Sequence, residues 1–196
     1  MQKGRLEAFS DGVLAIILTI MVLELKVPHG DNFAALRPLL PVFLSYVLSF
    51  VYVGIYWNNH HHLLSSARQI NGGILWPNLH LLFWLSLVPV STGWMGENHF
   101  APATLAVYGA ILLASAVAYS ILQYRLIALN GGSDSALARA VGRDWKGKLS
   151  PVLYGVAIIS SFVAPWLAGA VYVGVALMWL VPDRRIERTL HAQPEA

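Results

Sequence analysis

Charge is what this chain has least of. Only 12% of its 196 residues are Asp, Glu, Lys or Arg, about half the share carried by an ordinary soluble domain. Cysteine is absent altogether, which excludes disulfides, thiolate metal sites and a cysteine nucleophile. No segment alternates apolar and polar residues over strand lengths, so a membrane β-barrel is not expected. The first apolar run follows Arg5, Glu7 and Asp11 and carries no small-residue cleavage site, so a removable signal peptide is not expected either.

What is there is apolar. Hydrophobic residues make up 57% of the chain, and uncharged runs of 20 residues and more recur, as membrane-spanning helices require. The expected fold is an all-α membrane protein with six transmembrane helices. Helix one runs from about Leu6 to Val27, and Pro28, His29, Gly30 and Asp31 mark the turn behind it. Helix two starts near Pro38 or Pro41 and ends near Leu64. Helix three covers about Ile74 to Met95, with a kink expected at Pro89. Helix four spans about Ala103 to Ala128. Asn130 to Lys148 is a polar, basic connector with a short amphipathic helix from Ser135 to Val141.

Leu149 to Pro182 is an uncharged run of 34 residues. As one helix it would be about 51 Å long, against a hydrocarbon core of about 30 Å. Pro165 sits near its middle. Two short helices in a hairpin, about Ser150–Phe162 and Trp166–Val181, fit better. Residues 1–182 then form one membrane domain, followed by a polar tail from Asp183 to Ala196. With both termini cytoplasmic, this count puts 11 of the 13 Lys and Arg residues inside and leaves only Lys26 and Arg37 outside. Membrane orientation thus explains the net charge of +3, and a nucleic-acid partner is not expected.

Helix one is the unusual span. Asp11 and Glu24 are 13 residues apart, or about 20 Å along a helix. That is shorter than the hydrocarbon core, so at least one carboxylate must face protein or a water-filled cavity. At about 100° per residue, Ile16, Ile20 and Leu23 share a face, with Thr19 at its border. Glu24 lies about 40° from Ile20, and Asp11 about 140° from Ile16. On spacing alone the stripe reads first as core or lipid contact, although hydrophobic rings also gate pores by dewetting. His60, His61 and His62 invite a metal, but consecutive helical residues diverge by about 100°. Packing and hydrogen bonding suit them better, and no metal site is expected.

A family resemblance bears on these alternatives. Arg5-x-x-x-Phe9-Ser10-Asp11-Gly12, followed by Ala15-Ile16-Ile17-x-Thr19 and Val22-Leu23-Glu24-Leu25, resembles the signature of the transmembrane protein 175 family of potassium channels. Trp57 with His60 and His61, Asn78, and Leu87-x-Pro89 resemble its second and third elements. The match covers helices one to three, and helices four to six only by length and order. The resemblance implies a potassium-permeable, prokaryotic cell-membrane protein that is not an enzyme. Single-repeat members of the family are homotetramers with helix one lining a central pore. It implies a pore constriction at Ile16, with Ile20 and Leu23 at the next turns, and a polar selectivity layer at Thr19. It also implies a structural network of Arg5, Phe9, Ser10, Asp11, Trp57, His60, His61 and Asn78. Glu24 would sit at the outer mouth.

No Thr-Val-Gly-Tyr-Gly filter is present. Modest potassium over sodium selectivity is therefore expected, with potassium ions as the permeant species and no organic cofactor. A secondary transporter with helices broken at Pro77, Pro89 and Pro165, or a proton-permeable leak pathway, is the alternative.

Overall fold

A computed structural model describes residues 2–142 and 144–180. The polar tail expected at 183–196 lies outside the described residues, as do Arg143 and the tail arginines counted above. Among the described residues every regular element is helical. Helix α1 is Lys3–Leu23, α2 Leu40–Ser66, α3 Gly72–Ser86, α4 Val88–Glu97 and α5 Pro102–Leu129. A single surface turn, α6, covers Ala136–Val141, and α7 (Trp145–Ser161) and α8 (Pro165–Leu180) follow.

Four stretches are long and apolar enough to cross a bilayer: α1, the segment Phe33–Ser66 containing α2, the α3–α4 pair, and α5. The break between α3 and α4 falls at Leu87, two residues before Pro89. Proline has no N–H for the carbonyl four residues back and its ring crowds it, so the helix is interrupted there. Helices α7 and α8 have 17 and 16 residues, or roughly 25 Å each. They turn back on one another at Phe162–Ala164, and Trp179 Nε1 donates to Ser150 Oγ across the open end at 2.9 Å.

Two boundaries differ from the sequence expectation. Helix α1 ends at Leu23 rather than Val27. The apolar Val27 is outside it, in a turn where Gly30 takes the positive φ of 137° that favours glycine. Helix α7 starts at Trp145 rather than Ser150. Asp144 caps it, accepting from the Gly147 amide at 3.1 Å, and so brings Lys146 and Lys148 into the first turns of an apolar helix.

The core has two parts. One packs the buried side of α1 against α2, α3 and the C-terminal half of α5 through residues such as Leu14, Ile17, Leu64, Leu81 and Leu122. The other is rich in tyrosine: Tyr52, Tyr108, Tyr154 and Tyr172 pack ring against ring between α2, α5, α7 and α8. Tyr52 donates to the Tyr172 carbonyl at 2.7 Å, Tyr172 to the Leu105 carbonyl at 2.9 Å, and Tyr108 pairs with Ser49 at 3.0 Å. Thr92 of α4 donates onward to Ser49 at 2.6 Å. Among the described residues no buried side-chain nitrogen or oxygen lacks a partner. A bilayer interior demands this, because no water is there to substitute.

Short polar links close the ends of the bundle. Lys3 donates to the Ser65 carbonyl at the C-terminus of α2, at 2.7 Å, where the exposed carbonyls favour a cation. Asn130 accepts from the amides of Arg68 and Gln69 at 2.8 and 2.9 Å and donates to the Gln69 carbonyl, fastening the α2–α3 loop to the end of α5. At the opposite end Lys26 meets Glu97 at 2.6 Å. The bond and charge of Glu97 raise the Lys26 pKa above its usual value. The pair is solvent-exposed and tethers more than it stabilises.

Helices α2 and α4 approach backbone to backbone at Gly96. A Cβ there would lie 2.7 Å from Val42 Cα and 3.3 Å from the Pro41 carbonyl oxygen. Gly96→Ala should therefore cost about 1–3 kcal/mol through overpacking. A lowered melting temperature of the purified protein is the expected result. An unchanged one would show that the two helices are not held this close.

Candidate functional site

Helix α1 has two unlike faces. Leu6, Ser10, Leu14, Ile17 and Met21 recur every three or four residues and are buried against α2, α3 and α4. On the other side Ile16 is 59% exposed, Ile20 43% and Leu23 76%. Phe9, Gly12 and Thr19 are exposed as well. A bare apolar stripe the length of a span is covered either by lipid or by other protein. Its polar member is Thr19, whose hydroxyl donates to the Ala15 carbonyl at 2.8 Å. With its proton engaged inside the helix, the oxygen presents its remaining acceptor capacity outward.

The buried face carries polar chemistry of a different kind. Ser10 donates to the Leu6 carbonyl at 2.9 Å. Asn78 Nδ2 donates to Ser10 Oγ at 3.0 Å. Asn78 Oδ1 is then left to accept, and His60 Nε2 is 2.7 Å from it, which assigns the ring proton to Nε2. The chain Ser10–Asn78–His60 thus crosses from α1 through α3 to α2, with all three side chains buried. A separate contact lies nearer the surface: Trp57 Nε1 donates to Asp11 Oδ1 at 3.0 Å, and His61 stacks on the Trp57 ring at 6.0 Å.

Of the eight residues expected in one network, six fall into these two branches. Arg5 and Phe9 do not join them. Both lie on the exposed side of α1, turned away from α2 and α3 by the phase of the helix. Glu24 is exposed at the C-terminal end of α1, and a Cβ on Gly93 of α4 would lie 4.0 Å from its carboxylate. Among the described residues no group of three His, Cys, Asp or Glu side chains converges as metal ligands would. The Thr92–Ser49–Tyr108 chain and the Asn130 link were not expected from sequence. Isolated Ser, Thr, Asn and Tyr residues on apolar helices leave no periodic mark.

The family model for the endosomal/lysosomal potassium channel TMEM175 matches residues 5–89, the stretch holding both faces of α1 and both polar branches. A protein named "potassium channel" from Chryseobacterium sp. (strain P1-3) is 56% identical over 190 residues, covering 97% of this chain and 98% of its own. The chain belongs to the TMEM175 family. A crystal structure of a lysosomal potassium-selective channel TMEM175 homolog from Chamaesiphon minutus superposes with a TM-score of 0.80. It is 30% identical and covers 91% of this chain and 96% of its own. The human endosomal/lysosomal proton channel TMEM175 is 40% identical over an alignment of 81 residues and covers 35% of this chain and 16% of its own. As a TMEM175 protein the chain is membrane-embedded, and its family is one of channels, not of enzymes.

Proposed function

We propose that the protein is a potassium-permeable cation channel of a prokaryotic cell membrane. It is a homotetramer of six-span subunits with both termini cytoplasmic. One observation carries this reading: α1 is fastened to its own subunit by a polar face and leaves an apolar face without a partner among the described residues. A single chain has one such helix, so a pore ringed by it needs rotational symmetry. A relative that spans nearly the whole chain bears the name of a potassium channel, whereas the human proton-channel relative covers only 35% of it.

In this channel Ile16 forms the narrowest ring and Ile20 and Leu23 continue the apolar lining. Such a constriction controls passage by the ease with which it wets. Thr19 offers its outward oxygens between the rings as a polar layer. Four threonine oxygens cannot replace a full hydration shell as stacked carbonyls do. Potassium is therefore favoured over sodium modestly, as the more easily stripped ion. Glu24 concentrates cations at the outer mouth. Conduction is passive and needs no organic cofactor.

Reconstitution in a planar bilayer under a potassium/sodium gradient tests the proposal. Unitary current steps reversing toward the potassium equilibrium potential are expected. Slow, saturable flux without steps would establish a secondary transporter instead.

A further inference from the structure

Arg5 shares the stripe of the constriction. It stands 11 residues before Ile16, so at about 100° per residue its side chain leaves the helix within about 20° of the same direction. It lies about 16 Å nearer the N-terminal end. Its side chain is exposed and, among the described residues, makes no hydrogen bond or ion pair. The acidic residues nearby in sequence are otherwise placed. Glu7 points about 180° from Ile16 and lies 3.9 Å from Lys3. Asp11 is held by Trp57. From residue 32 to residue 96, which includes α2, α3 and most of α4, the chain has no Asp or Glu at all.

We infer that Arg5 is a conductance-determining residue of the pore rather than part of the packing network. The inference rests on the proposed pore along α1. In a symmetric assembly whose Ile16 side chains meet at the axis, the Arg5 guanidinium groups ring its cytoplasmic mouth. They lower the cation concentration there, while the Glu24 carboxylates raise it at the other mouth. Cations then enter less readily from the cytoplasmic side, and the channel rectifies in the inward direction. The ring acts through an aqueous mouth, so salt screens it: its reach is about 30 Å at about 0.01 M salt and about 3 Å at about 1 M.

Unitary outward and inward potassium currents are compared in Arg5→Gln at both salt levels. Outward current should rise at least about twofold at the low salt and converge with the wild type at the high salt. Arg5→Lys should restore the rectification. If Arg5→Gln does not assemble, the absence of cysteine from the chain allows charge to be set after folding. In Arg5→Cys, a cationic thiol reagent should return outward current toward the wild-type level, and an anionic reagent should raise it further. Currents indifferent to charge at this position, in channels whose conductance still responds to Ile16→Asn, would overturn the inference and leave the pore standing. Indifference to both substitutions would overturn the pore itself, and the inference with it.

Discussion

Ile16→Asn should raise unitary potassium conductance by about tenfold, equivalent to removing about 1.4 kcal/mol from the permeation barrier. In the proposed tetramer four branched apolar side chains meet at one level and leave a gap that water fills reluctantly, and an ion must carry water with it. A carboxamide at the same position donates and accepts hydrogen bonds, and so keeps the gap wet. The same substitution in a packed core would instead bury an amide without partners and unfold the subunit. The two outcomes separate cleanly because Ile16 is 59% exposed in the single chain, so the fold of the subunit does not depend on it. Assembly is checked by size-exclusion chromatography and conductance by single-channel recording. Properly assembled protein with wild-type conductance would remove Ile16 from the constriction. Its stripe would then be a lipid-facing or subunit-packing surface.

How far the sequence carried this picture depended on the kind of interaction. Long apolar helices follow from length and polarity, and the four long enough to cross a bilayer were legible. The 34-residue run after Leu149 could not be one straight span, and the observed hairpin turns at Phe162–Ala164, just before Pro165. The break expected at Pro89 occurs at Leu87. The start of α7 was misplaced for a physical reason. Lys146 and Lys148 read as loop, yet long cationic side chains can lie along a helix and put their charge at the interface. The direction of Asp11 away from the Ile16 stripe was legible from the wheel alone. The meeting of Ser10, Asn78 and His60 was not, because three helices must pack before their polar residues converge. Only resemblance suggested that grouping, and in the single chain Arg5 and Phe9 lie on the exposed side of α1, apart from it.

Asn78→Ala should cost about 2–4 kcal/mol of subunit stability, as two buried hydrogen-bonding groups lose their partner. Asn78 is 0% exposed, and its amide serves Ser10 on one side and His60 on the other. Ser10 retains the Leu6 carbonyl and His60 Nε2 is left with no acceptor, so the histidine side should dominate the loss. In a bilayer the penalty is softened where a displaced group finds another partner in the unfolded state, which places the estimate below the sum of two full desolvation costs. The discriminating measurement is a double-mutant cycle. Ser10→Ala alone should cost less than Asn78→Ala, and the two together should cost less than their sum, since they share one bond. Melting of the purified assembly gives the energies, and bilayer recording gives the function. Surviving channels should keep the wild-type ratio of potassium to sodium permeability, because no member of the chain lies on the Ile16 face of α1. A changed ratio in fully assembled Asn78→Ala channels would show that the polar face of α1 sets selectivity through the angle at which it holds Thr19 toward the axis.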